Sequence, residues 1–368
     1  MILPYDNELK ALKRSGRYRQ RYSLHNCMYD AASNDYLGLS HVQSIHDDAL
    51  SMMSRYPYQA PKASMLVGGY HPIHEEFETA LAEANGFEAG LIMGSGFNAN
   101  IGLMEALVRK GDTLIMDSEY HASGILGSKL CDGNVVIFDH NNSAALGTAL
   151  ENNNQGRIIV AVEGIYSMSG DLLDRNIIDL CISKEVILII DEAHSSGVIG
   201  KNLMGVLDHY DIAPTPLMIK MGTLGKAYGS FGAYVLATQH IIDYLVNRAK
   251  NVIYATAPSL YETARGLCAL RYIQKNTKEL KEKIQSHQNS IKAILNISVP
   301  GLIVPIVIGD NKRVIEIRQI MEEEMNVCVG AIRQPTVEKA IIRLIARLDL
   351  DHDFFIKVCE RLAQITVK

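Results

Sequence analysis

Three side chains with complementary chemistry follow two apolar runs in the middle of the sequence. The run 185–191 ends at Asp191, with His194 one short turn later, and the run 217–221 leads through a glycine-containing loop to Lys226. In an open parallel sheet, ligands bind beyond the carboxyl ends of the strands, so we expect these residues at one sheet edge. A lysine that can form an imine and a carboxylate that can keep a pyridine nitrogen protonated are what pyridoxal 5'-phosphate (PLP) requires.

Each of these residues also has a simpler interpretation. An aspartate such as Asp191 could equally well cap a helix, and a single lysine such as Lys226 is more often solvated on a surface. The PLP hypothesis therefore depends on Asp191, His194 and Lys226 converging. The pair His71 and His74 could suggest metal ligands, but no third ligand has suitable spacing, so packing at a turn or interface is favoured and no metal is expected.

The glycine-containing segment 94–100, GSGFNAN, could hold the phosphate of such a cofactor. It follows the apolar run 89–93 and precedes a helical pattern that begins near Ile101, and backbone N–H groups at a helix start suit a phosphate. The segment also matches a dinucleotide-binding variant, G-x-G-x-x-A, with Asp117 at about the distance of a ribose-binding acid. That oxidoreductase alternative is disfavoured because it leaves Lys226 and Asp191 without a role.

The elements around these motifs predict an α/β fold. Helical patterns separate short apolar runs, which indicates a mostly parallel sheet between helices; the runs are 89–93, 112–117, 134–138, 158–163, 185–191, 217–221 and 232–237. Residues 271–294 predict a long surface helix, followed by a small α+β region with a strand at 302–308 and a final helix. We expect an N-terminal arm over 1–36, a large domain over 37–270 and a small C-terminal domain over 271–368.

The composition narrows the class of protein. The chain has 368 residues, 48% of them hydrophobic, which is enough for one large core and a smaller one. A net charge of −5 favours no nucleic-acid partner. The six cysteines form no CxxC pair, which suits reduced thiols in a cytoplasm. No apolar run approaches the roughly 18 residues that cross a bilayer, so no membrane partner is expected.

The motifs taken together resemble the α-oxoamine synthases, PLP enzymes of fold type I that join an amino acid to an acyl-CoA and release carbon dioxide. The resemblance extends from about Ser33 to Arg347. It is carried by eight blocks in order: SNDYLGL at 33–39, GYHPIHEEFE at 69–78, GSGFNAN at 94–100, YHAS at 120–123, EGIYSMSGD at 163–171, DEAHSSGVIG at 191–200, GTLGKA at 222–227 and RQPTV at 333–337.

The resemblance implies a role for individual residues. Lys226 would form the imine with PLP, Asp191 would pair with the pyridine nitrogen, His194 would contact the ring hydroxyl, and His121 would stack on the ring. The phosphate would be held by Gly96, Phe97 and Thr223, with Thr256 of a neighbouring subunit in a homodimer. Ser167 would line the cofactor, and the substrate would meet Arg19, Asn34, Glu163, Arg333 and Thr336.

Regional matches within the family favour particular substrates. The segments GYHPIHEE, IVIGDNKR at 306–313 and AIRQPTV at 331–337 suit a member that takes L-alanine and a pimeloyl thioester of CoA or of an acyl-carrier protein. Arg19 or Arg21 could meet the acyl group or its carrier, although a solvated helix face explains them as well. A sibling such as glycine C-acetyltransferase or 5-aminolevulinate synthase, and a non-catalytic member of the fold, remain alternatives.

Two departures from the family pattern concern the substrate side. Ile345 stands where the family usually has an arginine for the amino-acid carboxylate, two residues beyond the position matched by Arg343. The carboxylate contact would then come from Arg333, Arg343 or Arg347. Gln334 replaces a proline in RQPTV, which is a milder change near the substrate entrance.

Overall fold

The computed structural model describes residues 4–15, 17–19, 21, 29–153 and 155–366, so Cys27 and parts of the predicted N-terminal arm lie outside the described residues. Twelve strands lie in these ranges: β1 Tyr29–Asp30, β2 Ala89–Met93, β3 Thr113–Asp117, β4 Asn134–Phe138, β5 Ile158–Glu163, β6 Ile187–Asp191, β7 Met218–Thr223, β8 Ala233–Ala237, β9 Ile303–Gly309, β10 Val327–Cys328, β11 Gly330–Ile332 and β12 Ala340–Ile345. Thirteen α-helices accompany them: α1 Asp6–Arg14, α2 Gln43–Met53, α3 Pro72–Asn85, α4 Gly96–Leu107, α5 Ala122–Ser128, α6 Ser143–Asn152, α7 Arg175–Ser183, α8 Val206–Tyr210, α9 Gln239–Arg248, α10 Lys250–Ile253, α11 Leu260–Leu295, α12 Asn311–Met325 and α13 His352–Thr366.

A seven-stranded sheet in the order β2-β8-β7-β6-β5-β3-β4 forms the centre of the molecule. β8 pairs antiparallel with β2 and β7, and the other neighbours pair in parallel. Parallel strands that are buried on both faces read as continuous apolar runs, and this is why the sequence predicted them. The α/β fold with a mostly parallel sheet between helices is therefore confirmed.

The strand period of two divides the apolar side chains between the two faces of this sheet. Val160 and Val162 of β5 pack into one buried cluster, which also includes side chains from α2, α3, α7, α11 and α13. Ile159 and Ala161, which alternate with them in sequence, pack into the second cluster with α4 and α9. The carboxyl ends of β5, β6 and β7 are thereby fixed side by side at one edge.

The C-terminal region forms an antiparallel sheet, β11-β12-β9, with α12 and α13. The predicted helix over 271–294 is present as part of α11, which begins earlier, at Leu260, and has a non-helical residue at Asn276. Apolar side chains of this region belong to the same buried cluster as one face of the large sheet. The domain boundaries at 36 and 270 stay a prediction. No helix in the described ranges is both long and apolar enough to cross a membrane.

One predicted boundary near the glycine-containing segment is wrong. The helix expected from about Ile101 begins at Gly96, so most of GSGFNAN forms the first turns of α4. Gly96 and two asparagines have low helix propensity and hid this start. Ser95 compensates as the N-cap, because its Oγ accepts a hydrogen bond from Asn98 N at 3.2 Å.

Candidate active site

A chain of polar side chains connects Lys226 to Arg343 across the carboxyl edge of the large sheet. Lys226 Nζ lies 2.8 Å from His194 Nε2, and His194 Nδ1 lies 2.5 Å from Tyr36 Oη. Tyr36 donates to Asn34 Oδ1 at 3.4 Å, and Arg343 Nη1 donates to the same oxygen at 2.9 Å. We call these five residues the inner site.

Burial determines the charge states in the inner site. Desolvation and the nearby Lys226 hold the pKa of His194 well below its usual range, so the imidazole is neutral near pH 7. Desolvation also lowers the pKa of Lys226, to about 8. A protonated Lys226 then donates to His194 Nε2, which leaves His194 Nδ1 to donate to the Tyr36 oxygen.

Asp191 ends β6, and no helix follows it directly, so the helix-cap alternative does not apply. Its Oδ2 accepts from Asn100 Nδ2 at 2.7 Å, and its Oδ1 accepts from Ala193 N at 2.9 Å. Tyr120 Oη donates to Asn100 Oδ1 at 2.9 Å and so fixes the orientation of the amide. The carboxylate is buried yet hydrogen-bonded, which satisfies the usual requirement for a buried charge.

His121 and Glu163 lie within electrostatic reach of the same edge. Burial lowers the pKa of His121, with Asp191 opposing and Lys226 adding to the shift. Burial and the neighbouring Asp191 raise the pKa of Glu163 well above its usual range. Glu163 Oε2 accepts from Ser167 N at 3.0 Å. The structure therefore brings these predicted site residues together.

Two buried polar atoms in this region have no hydrogen-bond partner, namely Glu163 Oε1 and Arg343 Nη2. The rest of the Arg343 guanidinium is fixed, because Nε donates to Ser167 O at 2.9 Å and Nη1 donates to Asn34. Buried polar groups are normally paired, so an unpaired one requires an explanation. A guanidinium N–H left open beside a lysine suits an anionic substrate group.

Two of the predicted phosphate-binding residues, Gly96 and Thr223, also lie together. The start of α4 lies against β7, since a Cβ added at Gly96 would stand 3.4 Å from Thr223 Cβ. Phe97 is exposed beside it, and Thr256 is exposed on the loop between α10 and α11. Backbone N–H groups of the twelve-residue helix α4 and the Thr223 hydroxyl form a suitable cradle for a phosphate. The residues present thus fit PLP: an amine of lowered pKa, a buried carboxylate and a phosphate cradle.

A cavity of about 250 Å³, separate from the inner site, is lined by three of the predicted substrate residues, Arg19, Arg333 and Thr336. We call it the outer cavity; its lining consists of Arg17, Arg19, Ala331, Ile332, Arg333, Gln334, Pro335 and Thr336. Arg19 and Thr336 are exposed, in contrast to the buried inner site. Asn34 belongs to the inner site instead. Ile345 is fully buried in β12, and Arg347 pairs with Asp30 and Asp349 at 2.7 Å, so Arg343 is the arginine that reaches Lys226's surroundings.

Sequence reasoning missed Tyr36, Asn100 and Ser123. Tyr36 and Asn100 lie inside the quoted blocks SNDYLGL and GSGFNAN, so the sequence marked these segments but did not indicate what the two residues contact. Ser123 Oγ lies 2.6 Å from His121 Nδ1 and accepts from Asn100 at 3.0 Å. It links the histidine to the amide that holds Asp191.

The pair His71 and His74 and one acidic cluster, the groups that could suggest a metal site, contact other groups of the protein. His71 caps α3 by accepting from Ile73 N at 3.1 Å, and His74 Nδ1 accepts from His71 N at 3.1 Å, so both form a helix cap. Asp35, His41 and Asp349 cluster closely enough to hold an ion. The two carboxylates of that cluster are within 3.5 Å of the Arg347 guanidinium.

The fold and the site together define a PLP-dependent transferase of fold type I. The family model of aminotransferase class I and II matches residues 29–361. The chain is 39% identical over 342 residues to an 8-amino-7-oxononanoate synthase of Helicobacter pylori strain J99, covering 92% of this chain and 91% of that protein. It is 32% identical to the 8-amino-7-oxononanoate synthase of Methylococcus capsulatus, covering 87% and 84%. The chain therefore belongs to the 8-amino-7-oxononanoate synthase family within the class I and II aminotransferases.

Solved structures agree with this assignment. An 8-amino-7-oxononanoate synthase from Francisella tularensis superposes with a TM-score of 0.75 at 25% identity and covers 92% of this chain and 98% of that one. A serine palmitoyltransferase from Sphingomonas wittichii has a TM-score of 0.87 at 18% identity, covering 99% and 98%, which shows the fold alone. The expected resemblance is confirmed, and PLP is the cofactor of the chain.

Proposed function

We propose that this chain joins L-alanine to a pimeloyl thioester and releases carbon dioxide and the free thiol, forming 8-amino-7-oxononanoate for biotin biosynthesis. The family assignment supports the reaction. The structural observation that supports the amino-acid half is the unpaired, buried Nη2 of Arg343, linked through Asn34, Tyr36 and His194 to Lys226. A substrate with an amine and a carboxylate on one carbon could place its amine near Lys226 and its carboxylate near Arg343.

Residues at the carboxyl edge of the large sheet would hold the cofactor. When bound, PLP supplies an aldehyde that forms imines with amines and a ring that withdraws electrons from the adjoining carbon. Lys226 Nζ would provide the amine, and Asp191 would keep the pyridine nitrogen protonated. Gly96, Phe97 and Thr223 would hold the phosphate, His121 would stack on the ring, and Ser167 would line its side.

Proton handling falls to Lys226 and the groups beside it. With a pKa of about 8, Lys226 Nζ can accept the proton from Cα of the amino acid and return it near neutral pH. Neutral His194, held by Tyr36, keeps the amine of Lys226 oriented. Arg343 would bind the amino-acid carboxylate through Nη2, and Glu163, whose pKa is raised well above its usual range by burial and by Asp191, would line the substrate side.

The bond changes balance with these groups and one proton from solvent. As Lys226 takes the Cα proton, a bond forms between Cα of alanine and the thioester carbonyl carbon, the bond from that carbon to sulfur breaks, and the leaving thiolate takes a proton from solvent. The bond from Cα to the carboxyl carbon then breaks, carbon dioxide departs, and Lys226 returns its proton to Cα. Arg19, Arg333 and Thr336 of the outer cavity would receive the acyl donor, whose distal carboxylate or carrier group is anionic.

We also propose a homodimer in the cytoplasm. Phe97, Phe231 and Tyr254 expose large apolar surfaces near the start of α4, the Lys226 loop and Thr256. Such a patch suits a second copy of the chain, whose Thr256 would complete the phosphate site. Light scattering should give twice the 40.7 kDa of one chain. We further propose that the chain divides at residues 36 and 270 into the arm, the large domain and the small domain.

The test of the reaction compares amino acids and acyl donors. Purified chain loaded with PLP is incubated with pimeloyl-CoA, or the pimeloyl carrier protein, and with alanine, glycine or serine. Mass spectrometry should find 8-amino-7-oxononanoate and carbon dioxide with alanine. Faster turnover of glycine with a short acyl-CoA would instead favour the sibling glycine C-acetyltransferase or 5-aminolevulinate synthase.

A further inference from the structure

A cluster centred on His140 joins three loops behind the inner site. His140 Nδ1 lies 2.9 Å from Asp117 Oδ1, at the end of β3, and Nε2 lies 3.0 Å from Asp171 Oδ2. Tyr166 Oη donates to Asp117 Oδ2 at 2.8 Å. Glu119 is the other charged group that faces the ring, with Oε2 at 3.7 Å from Nε2.

The hydrogen-bond pattern requires a charged imidazole. An ionised carboxylate only accepts hydrogen bonds, so both ring nitrogens of His140 must carry a proton. Burial alone would raise the pKa values of Asp117 and Asp171, but hydrogen bonds hold both pKa values low: His140 donates to both, backbone N–H groups also donate to Asp117, and the Ser169 and Asn141 side chains also donate to Asp171. The two carboxylates in turn raise the pKa of His140 to about 10 against the effect of its own burial. His140 is therefore a cation clamped between two anions.

The neighbouring Asn141 strengthens the same connection. Its backbone N–H donates to Asp117 Oδ2 at 2.8 Å, and its side-chain Nδ2 donates to Asp171 Oδ2 at 3.0 Å and to Leu172 O at 2.8 Å. Its Oδ1 accepts from Asp174 N at 2.8 Å. These hydrogen bonds thus hold residues 171–174, in the loop after β5, against the segments that follow β3 and β4.

The loop held in this way carries Ser167, which contacts Arg343 of the inner site. Ser167 follows Tyr166 directly, and its carbonyl oxygen accepts from Arg343 Nε, while its N–H donates to Glu163 Oε2. The loop closes on itself because Gly170 N donates to Tyr166 O at 2.9 Å. A displacement of Asp171 would therefore move the Ser167 carbonyl oxygen, which orients the Arg343 guanidinium.

We propose that His140 is a positioning residue: its charged ring locks the loop 164–172 so that Ser167 holds Arg343 in the orientation that binds the amino-acid carboxylate. The inference rests on the proposed function for the identity of that substrate. It predicts that loss of the ring weakens amino-acid binding more than it weakens binding of the acyl donor, because the outer cavity does not depend on this loop.

The test replaces the ring and then returns it from solution. His140→Gly should raise the apparent Kd for L-alanine, measured by absorbance titration of the PLP-loaded protein, about tenfold, because small misplacements of a binding group have large effects. The KM for the pimeloyl thioester should change by less than about threefold, which is the effect of losing one exposed contact. His240→Ala, on the exposed face of α9, is the control that should change neither.

Added imidazole should restore alanine affinity at slightly acid pH, where its ring carries two N–H groups. 1-Methylimidazole should not, because it offers only one N–H. A second measurement uses the chain without PLP: amide hydrogen exchange in peptides covering 164–172 should accelerate in His140→Gly and slow again with imidazole. If His140→Gly does not fold, Asp171→Asn should show the same loss of affinity and the same faster exchange.

Unchanged alanine affinity, or equal rescue by both imidazoles, would overturn the inference. Failure of the proposed function gives a different result. In that case the wild-type protein would not respond to alanine at all, while the hydrogen-exchange comparison would still report on the His140 clamp.

Discussion

The inner site and the outer cavity differ in how completely the protein determines them. In the inner site His194, Tyr36 and Arg343 are buried, and their hydrogen bonds leave one guanidinium nitrogen open. In the outer cavity Arg19 and Thr336 are exposed, and the charge of Arg19 faces solvent. Electrostatic interactions are stronger in a buried site than at a surface, where water and salt screen them. The inner site therefore suits chemistry with one small substrate, and the outer cavity suits a longer donor with a variable carrier.

The largest effect should come from Lys226. Replacement by alanine removes both the imine-forming amine and the group that moves the Cα proton, so turnover should fall by about 10³-fold or more. The absorbance of the imine, which borohydride bleaches in the wild type, should be absent. Lys275→Ala, an exposed lysine on α11, is the matched control. A variant at position 226 that stays yellow and active would remove the basis of the PLP site.

Arg343→Gln should weaken amino-acid binding strongly. A hydrogen bond to a charged group contributes about 2 kcal/mol, or roughly 30-fold in Kd, and Arg343 is buried, so solvent contact does not compensate for its loss. Absorbance titration with L-alanine measures this Kd. Arg361→Gln, at a surface ion pair with Glu324, is the control and should have no effect. Equal loss of affinity for alanine and for the thioester would mean that Arg343 does not discriminate between the two regions.

The lowered pKa of Lys226 predicts how fast the cofactor-free chain takes up PLP. Only the neutral amine attacks an aldehyde, so the rate of imine formation should rise about tenfold per pH unit and level off above a pH of about 8. Stopped-flow absorbance with excess PLP gives this profile. A free surface lysine would continue to accelerate to higher pH, so a plateau delayed to above pH 10 would contradict the burial of this amine.

Substitutions in the outer cavity should have small effects that depend on salt. Arg19→Ala should raise the KM of the pimeloyl thioester roughly two- to threefold, since an exposed ion pair contributes about 0.5 kcal/mol, and high salt should reduce the difference. Arg14→Ala, at the end of α1 in the same arm, is the matched control. A heptanoyl thioester, which lacks the distal carboxylate, tests whether the arginine meets that group or the carrier.

The sequence predicted the residues that end neighbouring strands but not the contacts between distant segments. Asp191 and Lys226 were found because parallel strands end at a shared edge, so local patterns placed them in one region. Tyr36 and His194 are 158 residues apart, and Asn34 and Arg343 are 309 apart. No local pattern encodes such contacts; they arise when the segment before α2 and strand β12 pack over the sheet. The family blocks marked these segments, but the link from Tyr36 to His194 required the structure.

The last prediction concerns stability rather than binding: a pH dependence that comes from His140, which lies outside both regions. Its folded-state pKa is about 10, above an unfolded value near 6.5. Between these values the folded chain binds more protons than the unfolded chain, so this contribution is fully present below pH 6.5 and is lost as the pH rises towards 10. The Tm of the cofactor-free wild type should therefore exceed that of His140→Gln at pH 6, and the gap should close at pH 10. A gap that widens with pH would mean that the ring is neutral, and the loop behind Arg343 would then be held by Asn141 without the charged clamp.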